Sequence, residues 1–172
     1  TTLFRSNYLA EKVGEIVQEI LNKFFQFLQK EKMQKEEPVF AHLSKEEVDL
    51  LSPLVWAYIG DVVYELWVRL NVVSSQQSQV GKLHQESVKH VRAQAQASLL
   101  TDLEVFLTEE EKEIVRRGRN ARPGSIPKNA SVMTYRYSTA FESLIGYLFL
   151  TEQYYRLNEI LDLADKILFA KS

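Results

Sequence analysis

The stretch Tyr58-Ile59-Gly60-Asp61-Val62-Val63-Tyr64-Glu65-Leu66-Trp67 is apolar along most of its length and sets Asp61 beside its one glycine. A carboxylate in such surroundings is costly to bury unless it is paired or bound to a cation. The stretch belongs to a longer run that opens at Ser52-Pro53, with proline at the first helical position. Leu54, Val55, Trp56, Ile59, Val62, Val63, Leu66 and Trp67 then leave no continuous polar face up to about Leu70. A helix that is apolar all round is central to its domain or covered at a subunit interface. This reading sets the fold class as all-α.

Working outward, Ser44-Lys45-Glu46-Glu47 is a capping box that opens a short helix to about Leu51. Upstream, Leu9, Val13, Ile16, Ile20, Phe24, Phe27 and Leu28 recur at three- and four-residue spacing. They predict one long amphipathic helix from about Asn7 to Lys35, packed on the domain or on a partner subunit. Glu36-Glu37-Pro38 ends it, and Val39 to Leu43 reads as a connector. Downstream, Asn71 to Gln79 is polar and reads as a loop, and Val80 to Phe106 is helical in one or two pieces. Thr108-Glu109-Glu110-Glu111 caps a further helix to about Arg119. Asn120 to Asn129, with two prolines and a glycine, is a loop. Helices resume over about Met133 to Leu150 and Glu152 to Phe169. No strand and no internal repeat is visible. The organisation is an N-terminal helix and connector over 1–43 and a helical domain over 44–172.

Composition narrows the function classes. The 172 residues are 45% hydrophobic and 26% charged, an ordinary globular balance for one domain. With no cysteine, disulfides, thiolate metal sites and cysteine nucleophiles are excluded, and a cytoplasmic setting fits. No apolar run reaches membrane-spanning length and no signal peptide is visible, so no membrane partner is expected. The chain begins Thr-Thr rather than Met, which points to a start upstream. His42, His84 and His90 are too scattered for a zinc site, and no Walker or Rossmann phosphate loop is present.

Two constellations carry chemistry. Between Ile114 and Phe141 there is no acid, while Arg116, Arg117, Arg119, Arg122, Lys128 and Arg136 all fall inside. Against a net charge of −2 this is a marked local asymmetry. Arginine forks suit phosphate, and Asn120 and Asn129 add neutral donors. The plainer alternative is a solvated helix end whose cations complement the macrodipole. The second constellation is Asp61 and Glu142, each an acid on an apolar helix with a glycine nearby. Meeting across a bundle, they would hold a hard divalent ion through oxygen, a site suited to phosphodiester hydrolysis. Alternatively, each acid is paired with an arginine inside the bundle.

These motifs, in this order, resemble a known family. Tyr58-Ile59-Gly60-Asp61-Val62-Val63 is similar to the signature helix of the ribonuclease III catalytic domain. Phe141-Glu142-Ser143-Leu144-Ile145-Gly146-Tyr147-Leu148 is similar to its second acidic motif. Arg116-Arg117-Gly118-Arg119-Asn120-Ala121, Pro127-Lys128-Asn129 and Tyr135-Arg136-Tyr137-Ser138-Thr139 resemble the Mini-ribonuclease III branch, which lacks a double-stranded-RNA-binding domain. The resemblance covers about Leu50 to Leu168. It implies a ribonuclease III-like all-α homodimer that cuts double-stranded RNA with Mg²⁺, in maturation of the large-subunit (23S) ribosomal RNA precursor. It places the metal-site and catalytic acids on Asp61 and Glu142. The family's other two acid positions fall on Ala57 and Thr139, a departure the short branch tolerates. On this reading Thr139 is the candidate for orienting a water. Arg116, Arg117, Arg119, Asn120, Arg122, Lys128 and Asn129 would hold the RNA, and Trp56 and Tyr58 are candidate dimer contacts. The extra N-terminal helix has no counterpart in the resemblance. The alternative function is a non-cleaving double-stranded-RNA scaffold; a helical dimer module without RNA affinity is a third.

Overall fold

The computed structural model describes residues 43–74, 79–122 and 131–169. The expected N-terminal helix lies outside these residues, as do Lys128 and Asn129. Seven α-helices occupy the described chain: α1 (Lys45–Leu50), α2 (Pro53–Ser74), α3 (Val80–Val91), α4 (Ala93–Leu103), α5 (Glu109–Asn120), α6 (Val132–Leu150) and α7 (Tyr154–Phe169). A 3-10 turn, Glu104–Phe106, follows α4. No strand interrupts them among the described residues.

Local chemistry sets the helix starts. Ser44 Oγ accepts from the Glu47 amide at 3.2 Å, while the Glu47 carboxylate accepts from the Ser44 amide at 2.7 Å. Thr108 and Glu111 repeat the device at α5. Where the sequence predicts a loop from Asn71, the helix instead continues to Ser74. Asn71 donates to Trp67 O at 3.0 Å, Ser74 donates to Asn71 O at 2.7 Å, and Val72 packs into the core. Polar residues that bond back into the helix let it run another turn. The long segment after Val80 breaks at Arg92, whose extended backbone ends α3 and starts α4.

The centre of the bundle is α6 rather than α2. From Ser138 to Leu148 every residue of α6 except Glu142 is buried. It packs on α2, α5, α4 and α7. Phe141, Leu144, Ile145 and Leu148 meet Tyr64, Leu99, Leu100, Leu103, Leu157 and Ile160 in the main core. Tyr64 sets its edge against Phe141 at 4.8 Å between ring centres and stacks on Trp67 at 5.6 Å. Each of these fully buried side chains contributes roughly 1.5–3 kcal/mol relative to exposure. Helix α2 is two-faced: Trp56, Ala57, Gly60, Tyr64, Trp67, Val68 and Val72 point inward. Arg156 at the start of α7 ties it to α5, donating to both oxygens of buried Glu111 and to Phe106 O. No described helix is long and apolar enough to cross a membrane.

Candidate active site

The site begins with two glycines. Where α2 crosses α6, a Cβ on Gly60 would collide with the carbonyl oxygen of Glu142, and one on Gly146 with the carbonyl oxygen of Trp56. Packed helices ordinarily keep their axes 8–10 Å apart because side chains intervene. Here backbone touches backbone. Asp61, one residue after Gly60, is thereby delivered beside Glu142.

The two carboxylates feel each other. Burial, and then the charge of Asp61, push the Glu142 carboxyl up to about 8. Asp61 is more exposed; partial burial and the neighbouring Glu65 raise it as well. Glu65 is itself paired with Arg69 at 2.7 Å. Among the described residues no lysine, arginine or histidine pairs with Asp61 or Glu142. The described bundle therefore lacks the arginine partners that the plainer alternative requires. Ala57 lies buried one turn before Asp61, and Thr139 lies buried three residues before Glu142. The Ser143 hydroxyl, donating towards Thr139 O at 2.7 Å and Pro53 O at 3.0 Å, helps hold this part of α6 to the start of α2.

This donor set fits a hard divalent cation. It offers only oxygen, from two crowded carboxylates and a nearby hydroxyl. Mg²⁺ commonly takes one or two carboxylates and keeps several waters. No third acid, histidine or cysteine joins the pair among the described residues. A cation would offset both the burial cost and the Asp61 repulsion that push Glu142 up.

One neighbour escaped the sequence reading. Gln96 on α4 is 1% exposed, and its side chain comes within interaction range of Glu142, favouring the charged form. The contact lacks ordinary hydrogen-bond geometry, and neither amide atom has a partner among the described residues. The signal was present: Gln96 is the polar member of the stripe continued by Leu99, Leu100 and Leu103.

The basic constellation divides. Arg116 is exposed and bidentate to Glu113, both contacts at 2.6 Å. Arg119 lies against the Tyr137 ring, and Asn120 and Arg122 are exposed or nearly so. Arg117 is used within the fold: its guanidinium lies 4.3 Å from the Trp56 ring centre and donates to Asp49 O at 3.3 Å. Trp56 requires a correction too. It has no exposed surface, its indole N–H donates to Val48 O at 2.9 Å, and Tyr147 packs against it edge-on. A ring enclosed by its own protomer cannot touch a second one. Tyr58, two residues on, is 74% exposed.

Comparison with known proteins agrees with this arrangement. The Ribonuclease III domain model matches residues 54–153, spanning both acidic helices and the crossing between them. The chain belongs to the ribonuclease III family, on its Mini-ribonuclease 3 branch, and is by that membership an endoribonuclease. It is 48% identical to the Mini-ribonuclease 3 of Thermoanaerobacter sp. (strain X514) over 126 residues, 73% of this chain and 89% of that protein. It is 41% identical to the Mini-ribonuclease 3 of Brevibacillus brevis over 134 residues, 76% of this chain and 100% of the relative. A crystal structure of a Fusobacterium nucleatum protein superposes with a TM-score of 0.62 at 27% identity, over 67% of this chain and 93% of that one.

Proposed function

We propose that this ribonuclease III-type enzyme cleaves double-stranded RNA with Mg²⁺ held by Asp61 and Glu142. The observation that carries the proposal is the crossing of α2 and α6, which forces two like charges together and leaves them without a cationic side chain among the described residues. When bound, the ion supplies charge that activates a water for in-line attack and stabilises the departing oxygen. Asp61 and Glu142 fix its place relative to the scissile phosphodiester. Thr139, on the Glu142 side of α6, orients a water. Arg116, Arg119, Arg122 and Lys128, with Asn120 and Asn129, hold phosphates and 2′-hydroxyls of A-form RNA, reading shape more than sequence. Arg117 is withdrawn from that set by its contacts with Trp56 and Asp49.

The protein works as a homodimer in the cytoplasm. Val55, Tyr58, Val62 and Leu66, at 42%, 74%, 60% and 43% exposure, line the outer face of α2 at helical spacing. That stripe supports a second copy docking there, which would set two sites along one RNA groove. The substrate, a precursor of large-subunit (23S) ribosomal RNA, is assigned through the family resemblance. Cleavage of a structured double-stranded RNA, with Mg²⁺ or EDTA, by wild type and Asp61→Asn tests the reading. Mg²⁺-dependent cutting that Asp61→Asn loses, with RNA still bound, is expected. An active Asp61→Asn protein would remove Asp61 from the chemistry, and a wild type that binds without cutting would leave only a scaffold.

A further inference from the structure

Gln96 is polar, 1% exposed and placed in the wall of the core where α4 packs against α6. Its neighbours along α4, Leu99, Leu100 and Leu103, are fully apolar and equally buried. An amide here gains nothing from the fold as it stands, because neither its nitrogen nor its oxygen has a hydrogen-bond partner among the described residues. Burying an unsatisfied amide opposes folding, and an apolar residue of the same shape would avoid that penalty. Its side chain comes within interaction range of the Glu142 carboxylate. This approach has the sense expected of an N–H donor: it favours carboxylate over acid.

We infer that Gln96 is a positioning residue for Glu142, its side-chain N–H donating to one carboxylate oxygen and leaving the other turned toward Asp61 and the cation. The inference rests on the metal-site reading proposed above and adds a residue to it. A short movement of either side chain would satisfy both the amide and the carboxylate. Groups that hold a metal ligand in this way typically change metal affinity or activity by 10–100-fold when removed. Glutamine suits the role because it stays neutral at all working pH values and adds no further charge to a crowded pair. A carboxylate in its place would repel Glu142, and a lysine would compete with the cation.

The test uses Gln96→Met, close to isosteric but without an N–H. Mn²⁺ binding to the purified protein, followed by the spin-resonance signal of free Mn²⁺, is compared across wild type, Gln96→Met and Asp61→Asn. Mn²⁺ affinity is expected to fall about 10–100-fold in Gln96→Met. Its melting temperature in EDTA should be unchanged or higher, which a purely structural glutamine would not give. The Mg²⁺ concentration for half-maximal cleavage should rise by a similar factor, with the rate at saturating Mg²⁺ largely restored. Should Gln96→Met not fold, Gln96→Leu carries the same comparison. Wild-type Mn²⁺ affinity in Gln96→Met, with Asp61→Asn impaired, overturns the role of Gln96 and leaves the metal site standing. Equal binding by all three proteins, or none by wild type, overturns both.

Discussion

Removing the charge of Glu142 should stabilise the protein while abolishing its activity. In the fold Glu142 is pushed up to about 8 from 4.5, by burial first and then by Asp61. Over that window the folded protein keeps a proton that the unfolded chain has released, so stability falls as pH rises from about 4.5 towards 8. At about 1.4 kcal/mol per unit, the interval from 4.5 to pH 7 amounts to roughly 3 kcal/mol opposing the fold. Glu142→Gln keeps the shape of the side chain and cannot ionise, so it escapes this term. For a domain of this size the gain at pH 7 is about 5–10 °C in melting temperature. At pH 5 it should shrink below about 1 kcal/mol, because wild-type Glu142 is then protonated in the fold and still about a quarter protonated when unfolded. Thermal unfolding in EDTA at the two pH values measures the difference directly. Saturating Mg²⁺ should narrow the gap at pH 7 by binding wild type selectively. A gap that is the same at both pH values would refute the reasoning, since packing changes carry no such pH dependence.

Four further outcomes follow from the same geometry. Gly146→Ala puts a Cβ into the carbonyl of Trp56, so α2 and α6 must separate; a loss of about 2–5 kcal/mol in denaturant melts, with little cleavage, is expected, and a wild-type melt would contradict backbone contact there. Arg117→Ala should cost about 1–2 kcal/mol of stability by removing the contacts with Trp56 and Asp49, and leave the salt slope of RNA binding unchanged. Arg116→Ala with Arg122→Ala should flatten that slope by about two counterions at wild-type stability. Val62→Asp, on the exposed face of α2, should shift the protein to monomer in sedimentation experiments; an intact dimer would place the interface elsewhere.

The parts of the fold legible in the sequence are those governed locally. Ser44 with Glu47, and Thr108 with Glu111, announce helix starts because each box is closed by its own residues. Asp61 stands out because an acid among apolar residues is anomalous in any fold. Its pairing with Glu142 depends on a contact 81 residues away in the chain (142 − 61); two lone acids on apolar helices suggested it beside an arginine-paired alternative, and the resemblance favoured it. Direction was the weak point. A helix apolar all round carries no signal for which side faces the core, so Trp56 and Tyr58 read alike although one is enclosed and the other open. Charge does not reveal direction either: Arg117 belongs to a basic run but lies on Trp56. The glycines show the same limit from the other side. Gly60 and Gly146 are each ordinary in sequence, and their meaning appears only when the two helices touch.

The two positions where the wider family carries further acids bear on why this site works with a single pair. Ala57 is 6% exposed and Thr139 5%, so a carboxylate at either would be an additional nearly buried charge next to Glu142. Burial first, and then Asp61, already push Glu142 up to about 8. Another buried acid would drive the cluster further toward protonation unless a cation were permanently resident. With Ala57 and Thr139 in place, the pair carries no such additional charge. On the proposed mechanism, the missing oxygens are then supplied from outside the chain, by water and by the RNA phosphates themselves. Binding of cation and binding of RNA would then be coupled, since each would bring charge or ligands that the other lacks. On that proposal, Ala57 and Thr139 would shift part of a bound cation's coordination from the enzyme to its substrate.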